Sequence, residues 1–301
     1  NQAVGTQLQI LGGLFVFFMF ITIIAAVLDS RTATHGAAYT SAAGQMRMLS
    51  QSIAKAAQLA LQGNVAAFAE LKESRGDFAL LLERVSKGGT IDEIDVPASP
   101  DSIQPVLQAL ALEWDKTEKN AAQVLEQEKN LQTLGKSVGT INSRNPQLLE
   151  LAEQVAALKL QTGAAAREIA AANQLVMLTQ RLAKNANALL VTDAIDPEVA
   201  FLLGKDTNTF RDVLAALTKG SEAMRIAAAA DAETKEKLVE LDGAFKEYQE
   251  AVAGILGNMQ RLVQAKTAGS RIFRDSGTLL KATTDLSNAY AGEIAGRATN
   301  T

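Results

Sequence analysis

Two stretches of the chain repeat each other closely. Residues 42–61 read AAGQMRMLSQSIAKAAQLAL, and residues 171–190 read AANQLVMLTQRLAKNANALL, at an offset of 129 positions. Two further blocks repeat at offsets of 132 and 131, namely residues 78–88 with 210–220 and residues 110–125 with 241–256. Three blocks in the same order at nearly constant spacing predict a tandem duplication of a unit of about 130 residues, an ordinary domain size.

Composition and the spacing of apolar residues predict an all-α fold. The chain is 48% hydrophobic but only 5% aromatic, so Ala, Leu and Val fill the interior, a mixture typical of helices. Apolar residues recur at alternating steps of three and four, as in helical bundles. These patterns stop at the prolines, because proline removes a helix donor and clashes with the preceding turn. Helices are therefore predicted near residues 8–62, 65–87, 103–140, 147–192, 197–219, 233–266 and 270–299.

The predicted architecture is an N-terminal transmembrane helix followed by two stacked antiparallel four-helix bundles that share a long connecting helix, residues 147–192. Asn145 and Asp196, each directly before a proline, are predicted N-caps. The acidic residues around Asp92–Asp95 are predicted to lie in a solvated loop. The predicted segments are residues 1–28 for the transmembrane helix with a short tail, 29–165 for the first bundle and 166–301 for the second.

Residues 10–28, ILGGLFVFFMFITIIAAVL, contain no charge. At about 1.5 Å per residue they are long enough to cross a bilayer core of about 30 Å. The alternative is a secretory signal, but its apolar region is shorter and ends at a cleavage site, and no convincing site follows Leu28. A retained membrane helix in contact with lipid is therefore predicted, with another one expected if residue 299 returns to the membrane surface. The flanking charges do not indicate which side of the membrane holds residues 29–301.

The composition excludes several kinds of functional site. There is no Cys and only one His, His35, which excludes Cys/His zinc sites, thiol nucleophiles, disulfides and triads that need a spare histidine. Because 29 Lys and Arg nearly balance 33 Asp and Glu, nothing predicts a nucleic acid partner. No Gly-rich phosphate loop, nucleophile elbow or calcium loop is present. The sequence predicts a protein that is not an enzyme and has no cofactor or metal ion.

The repeated motif has two helical faces. One is an apolar stripe that predicts the bundle core: Met46, Leu49, Ile53, Ala56 and Ala60. The residues of the other face are identical in the two copies: Gln45, Met48, Gln51 and Lys55 recur as Gln174, Met177, Gln180 and Lys184. A recent duplication or a helix-capping role explains this equally well as a face that contacts a second protomer, a ligand or a protein partner.

Two arginines lie beside the repeated face, one in each copy. Arg47 of the first copy is replaced by Val176 in the second, and Arg181 of the second copy by Ser52 in the first. An arginine on a helix side can hold a planar anion with two hydrogen bonds, although a surface arginine is more often simply solvated.

The stretches AGQMRMLSQSIAK and NQLVMLTQRLAK resemble the motif of the PilJ-type sensory domain, which in that family reads approximately AG-x-x-R-x-LSQRIAK. The resemblance covers essentially the whole chain, in tandem after a membrane helix, as in type IV pilus chemoreceptors. It implies a homodimeric sensor in the bacterial inner membrane with residues 29–301 in the periplasm. It also implies a HAMP linker and a methyl-accepting hairpin that controls a CheA/CheW-like pathway, with the major pilin as partner and twitching motility as the output.

The related NarX-type sensor kinases carry an arginine in a similar motif that binds nitrate at the dimer boundary. Arg47 matches that arginine by position, whereas Val176 and Ser52 depart from the family patterns. Two alternatives therefore stay open: an anion-binding sensor of a histidine kinase, and a membrane-anchored helical tether without signalling function.

Overall fold

The computed structural model describes residues 2–299 and confirms the predicted all-α class. Asn1, Asn300 and Thr301, at the outer ends of the predicted segments 1–28 and 166–301, lie outside the described residues. A single two-stranded hairpin within the described range, β1 (Gly88–Ile91) and β2 (Ile94–Pro97), accompanies the helices. The helices are α1 (Gln2–Ala60), α2 (Val65–Lys87), α3 (Gln104–Glu126), α4 (Glu128–Gln161), α5 (Ala166–Val191), α6 (Pro197–Lys219), α7 (Ala232–Gly257) and α8 (Met259–Ala298).

Helix α1 is the one helix among the described residues that is long and apolar enough to cross a membrane. The side chains of residues 10–28 are exposed along the whole segment, as expected if lipid surrounds them. Thr22, the polar side chain of this segment, donates its hydroxyl hydrogen bond to the Phe18 carbonyl one turn back, so it needs no water partner. The helix then continues without interruption to Ala60.

The first of two compact units comprises Asn1–Ser52, Glu73–Lys116 and Asp275–Thr301. Phe78 stacks on Trp114 in its core, with ring centres 4.1 Å apart. Tyr39 of α1 stacks on Tyr290 of α8 at 5.1 Å. One turn earlier in α1, Gly36 faces Ile294, which lies one turn later in α8. The two helices therefore run antiparallel in this unit.

Residues 88–97 form a β-hairpin, which corrects the predicted loop around Asp92–Asp95, although Asp92, Glu93 and Asp95 are exposed to solvent as predicted. Ile91 pairs with Ile94, so Asp92 and Glu93 form a two-residue turn in which both have positive φ, +46° and +65°. Ile91 and Val96 are both buried. Alternate residues of a strand point to the same side, so Val96 lies on the same side of the hairpin as Ile94 and its partner Ile91. The acidic composition of the turn concealed this apolar alternation.

We expect Glu93→Gly to stabilise the hairpin by about 0.5–1 kcal/mol, because glycine adopts a positive φ without a steric penalty. Glu93 is exposed, so little packing is lost. Amide hydrogen exchange of residues 88–97 measures the effect, with Glu93→Ala as the control that keeps the penalty. Faster exchange in Glu93→Gly than in Glu93→Ala would contradict the expectation.

The second compact unit comprises Ile53–Lys72 and Thr117–Arg274. Helices α4, α5, α6 and α7 form a four-helix bundle within it, in which α4 and α6 each pack on both α5 and α7. The short connections at residues 162–165 and 192–196 make consecutive helices antiparallel. Phe210 of α6 and Phe245 of α7 stack in the bundle core with ring centres 4.3 Å apart.

The predicted connecting helix over residues 147–192 is corrected to two helices, α4 and α5, separated by a turn. Gly163 has a φ of +66°, the left-handed conformation that ends many helices. The Glu168 carboxylate accepts a hydrogen bond from the Ala165 N–H at 3.0 Å, and lies 3.8 Å from the Nζ of the buried Lys159. Apolar spacing continues across the turn, so periodicity alone did not reveal it.

Two of the other predicted helices are also divided. The predicted helix 103–140 breaks at Gln127, between α3 and α4, and the predicted helix 233–266 breaks at Asn258, between α7 and α8. The two breaks lie 131 positions apart, the offset of the third repeated block. Each copy of the duplicated unit therefore interrupts the same helix at the same place.

Pro146 lies inside α4, so Asn145 is not the predicted N-cap. The flanking Ile141 and Leu148 are fully buried. Burial of two such side chains contributes about 3–6 kcal/mol in total, which is at least as large as the cost of about 3 kcal/mol for a proline within a helix. Asp196 does cap α6 as predicted, since its carboxylate accepts a hydrogen bond from the Glu198 N–H at 2.9 Å.

Lys266 is buried although it carries an ammonium group, with only 1% of its surface exposed. Its Nζ donates a hydrogen bond to the Leu190 carbonyl, in the last turn of α5, at 2.6 Å. Burial lowers the pKa of Lys266 to about 8, with a smaller opposing effect of Asp193. The matching residue of the first copy is Gly135, which lies against Gly63 in the turn after α1.

We expect the free energy of unfolding to rise by about 2–3 kcal/mol as the pH increases from about 8 to 10.5. In this window the unfolded lysine keeps its proton while the folded one loses it, so the unfolded state binds more protons and stability grows with pH. Urea unfolding in detergent at both ends of the window measures the rise. An equally large rise in Lys266→Met would contradict the assignment.

Candidate functional site

The repeated face of α1 is exposed in the first unit. Met48 is 72% exposed, Arg47 and Gln51 are exposed, and Gln45 is half-buried. The side chain of Arg47 forms no hydrogen bond or ion pair within residues 2–299. Leu49, predicted to lie in the core, is only half-buried, because it borders an open groove.

This groove has a volume of about 390 Å³ and lies between α1, α2 and the hairpin. Two residues of the predicted face, Gln45 and Met48, line it together with Leu49. Its lower part is apolar, since Leu81 and Ile91 are buried, whereas Met48 and Leu80 are exposed at its edge. The remaining lining residues come from α2 and the turn of the hairpin: Asp77, Arg84 and Asp92.

Asp92 links the hairpin to α1. The Gln45 amide nitrogen donates hydrogen bonds to both carboxylate oxygens of Asp92, at 3.1 and 3.2 Å. The Ser41 hydroxyl donates to Asp92 Oδ2 at 2.5 Å. These bonds hold the turn against α1 and help to maintain the positive φ of Asp92. Both donors are neutral side chains, so neither of them adds a positive charge next to the carboxylate.

Three charged side chains line the groove. Asp77, Arg84 and Asp92 form no ion pair with any residue in the described part of the chain. The stem of Arg84 packs against Gly89, whose missing Cβ would lie 3.0 Å from Arg84 Cγ. Two carboxylates therefore face one guanidinium, and the groove has a net negative charge. Within residues 2–299, no three His, Asp or Glu side chains lie close enough to bind a metal ion together.

The corresponding face of the second unit is also exposed. Gln174, Met177, Gln180 and Lys184 lie on the outside of α5. Lys55 belongs to this unit as well and is exposed on the last part of α1. Lys55 is not one of the residues that line the groove.

Arg181 forms an ion pair with Asp206 in the second unit. Its Nε and Nη2 each donate a hydrogen bond of 2.6 Å to Asp206, one to each carboxylate oxygen. Asp206 is 1% exposed, whereas Arg181 is 43% exposed. This pairing raises the pKa of Arg181, chiefly through the hydrogen bond with Asp206. The first copy has Ser52 and Ser74 at the matching positions.

A buried junction connects the end of the hairpin to α1 and α8. The Tyr39 hydroxyl donates a hydrogen bond to the Pro97 carbonyl at 2.6 Å. Ser99 donates to the Val85 carbonyl, so Tyr290 donates to the Ser99 hydroxyl at 2.6 Å. Burial raises the pKa of Tyr290 to about 12. His35 lines a smaller cavity of about 210 Å³ next to this junction.

Sequence reasoning missed the groove residues of α2 and the hairpin. Comparison of the two copies could have found part of them, because Leu80 and Arg84 match Asp212 and Ala216 at the offset of 132. The two copies differ in charge at these positions, whereas the residues of the repeated face opposite them are identical in both copies. A search for identical residues passes over such differences.

Comparison with known proteins places the chain in a family. The family model for the type IV pili methyl-accepting chemotaxis transducer N-terminal region, PilJ, matches it twice, at residues 30–140 and 159–270. The chain is 30% identical over 97% of its length to Protein PilJ of Pseudomonas aeruginosa. It is 28% identical over 93% of its length to AlkN of Alcanivorax borkumensis, whose name assigns it to methyl-accepting chemotaxis.

The chain spans about two fifths of each relative, 43% of the first and 40% of the second. The two family-model matches together cover well over half of the chain, and they include both copies of the repeated motif. The chain therefore belongs to the PilJ family of type IV pili methyl-accepting chemotaxis transducer N-terminal domains.

Proposed function

We propose that this chain is the sensory region of a methyl-accepting chemoreceptor that controls type IV pilus motility, and that the groove of the first unit receives the input. The observation that carries the proposal is that one uninterrupted helix, α1, contains both the apolar segment 10–28 and the groove residues Gln45 and Met48. The groove begins 17 residues after Leu28, about 26 Å along the helix. A displacement of α1 at the groove would therefore move the membrane segment directly.

The contacts around the hairpin support this transmission. Groove residue Asp92 is bound to Gln45 of α1, and the other end of the hairpin reaches both α1 and α8 through Tyr39 and Tyr290. Occupancy of the groove would compete with the bond between Asp92 and Gln45. Helix pairs of this kind change between discrete packings by small shifts, so a partner that binds one packing better changes the output.

The proposal extends to the location of the receptor and to its partners, and the family membership of the chain supports it. The proposal places the protein in the bacterial inner membrane as a homodimer, with residues 29–301 in the periplasm as two sensory domains, 29–165 and 166–301. Its partners would be the major pilin outside and CheA/CheW-like proteins inside the cell. Met177, Gln180 and Lys184 would give the second domain an additional contact face.

A hybrid receptor tests the proposal. Residues 1–301 replace the matching region of Pseudomonas aeruginosa PilJ in a strain that lacks PilJ, and twitching motility is measured on agar. The hybrid should restore motility, whereas a control hybrid with Phe17→Lys and Ile21→Lys in the apolar segment should not. The passive tether would be favoured if the hybrid reaches the membrane in normal amounts but twitching and kinase activity stay as they are in the strain that lacks PilJ.

Arg47 keeps one alternative open, the anion sensor of a histidine kinase. Its side chain is exposed and has no partner among the described residues, unlike that of Arg181, which forms two hydrogen bonds with Asp206. Nitrate titration of the full chain in lipid nanodiscs tests this function. Binding that is lost in Arg47→Gln supports an anion sensor, and binding of purified pilin without any response to nitrate supports the pilus receptor.

A further inference from the structure

We infer that the groove of the first unit binds a peptide segment that places an apolar side chain next to a positive charge. This inference rests on the proposed function, because it names the kind of partner that the same groove recognises. It draws on three observations: the apolar lining, the unpaired carboxylates and the contrast with the second copy of the repeat.

The apolar lining provides the binding energy. Leu81 and Ile91 are buried beneath the groove, while Met48 and Leu80 present exposed apolar surface at its edge. Covering such side chains removes apolar surface from water, which is the main favourable contribution to association. A volume of about 390 Å³ accommodates a few side chains rather than a whole helix.

The charges provide the selectivity. Asp77 and Asp92 have no cationic partner within residues 2–299, and the donors to Asp92 are a neutral amide and a neutral hydroxyl. Arg84 offsets only one of the two negative charges. A lysine or arginine of the partner would complement this excess, and an acidic residue at the same place would be repelled.

The second copy keeps the repeated face but lacks the matching groove chemistry. Gln174 and Met177 repeat Gln45 and Met48, whereas Asp212 stands where Leu80 does and Ala216 where Arg84 does. The apolar residue opposite the methionine is therefore specific to the first copy. The preference for an apolar and cationic segment should belong to the first unit alone.

Fluorescence anisotropy with the full chain in phosphatidylcholine nanodiscs tests the inference. The probes are rhodamine-labelled GKLLKG, GELLEG and GKAAKG peptides with blocked C-termini, and empty nanodiscs correct for lipid binding. We expect saturable binding of GKLLKG, at least tenfold tighter than that of GELLEG or GKAAKG. Asp92→Asn and Met48→Ser should each weaken binding of GKLLKG about tenfold. The matched controls Asp101→Asn and Leu112→Ser change exposed residues of the same unit outside the groove, and should leave binding unchanged.

Equal binding of GKLLKG and GELLEG, no saturable binding, or equal effects of the groove and control variants would overturn the inference. Circular dichroism spectra show whether a variant that binds more weakly has lost its fold. Asp77→Asn removes a groove carboxylate but leaves the hairpin contacts in place, so weaker binding in this variant reflects the lost charge. If the peptides fail to discriminate while the hybrid receptor still restores twitching, the inference falls and the proposed function stands. If the hybrid fails as well, both fall.

Discussion

Replacement of Arg181 by alanine should lower the free energy of unfolding by about 3 kcal/mol, because it leaves the carboxylate of Asp206 buried without a cation. Asp206 receives two hydrogen bonds of 2.6 Å from Arg181 and is almost completely inaccessible to solvent. The guanidinium itself is partly exposed, so the loss should fall at the lower end of the range for buried ion pairs. Urea unfolding monitored by circular dichroism measures it.

The first copy of the repeat supplies the control for this prediction. It carries Ser52 and Ser74 at the two matching positions, so the double variant Arg181→Ser and Asp206→Ser should recover much of the stability that Arg181→Ala loses. Arg47→Ala, which removes an exposed arginine without a partner, should change stability by less than about 0.5 kcal/mol. A loss in Arg181→Ala as small as that in Arg47→Ala would show that the ion pair does not stabilise the bundle.

Replacement of Gly63 by alanine should cost about 3–4 kcal/mol, because two penalties act at the same position. Gly63 has a φ of +79°, which costs any other residue about 1–2 kcal/mol. An added Cβ would also lie 2.5 Å from the Leu131 carbonyl oxygen and 3.1 Å from Gly135 Cα, so the backbones would have to separate. The thermal unfolding midpoint and urea unfolding both report the loss.

Gly163 is a control that carries only one of the two penalties, the one from the backbone conformation. Its φ is +66°, and, apart from Gly163 itself and its two chain neighbours, no described residue has an atom within 4 Å of the position that a Cβ would take. Gly163→Ala should therefore cost only about 1–2 kcal/mol, from the backbone conformation alone. Equal losses in Gly63→Ala and Gly163→Ala would mean that the close approach of Gly63 to Gly135 adds nothing to stability.

The parts of the fold that depend on local sequence could be predicted. The apolar run 10–28, the cap at Asp196 and the exposed face of Met48 and Met177 follow from hydropathy, capping chemistry and helical spacing. These features depend on residues within a turn or two of one another. Duplication made the exposed face more visible, because Met48 and Met177 occupy the same position in the two copies.

Features that depend on distant residues could not be predicted. The partner of Arg181 lies 25 residues away on another helix, and the groove combines α1 with Leu80 of α2 and Asp92 of the hairpin. Pro146 favoured a helix break, but burial of its neighbours Ile141 and Leu148 outweighed that local preference. In each case tertiary packing decided a question that the local sequence left open.

Twitching motility in hybrid receptors that carry single changes in the groove tests most directly whether the groove receives the input. If the groove of the first unit receives the input, Met48→Ser should abolish or strongly reduce the restored motility, whereas Leu112→Ser, which removes a similarly exposed apolar side chain outside the groove, should leave it unchanged. Met177→Ser reports whether the second unit contributes. Full motility in Met48→Ser at normal receptor levels would contradict a role of the groove in sensing.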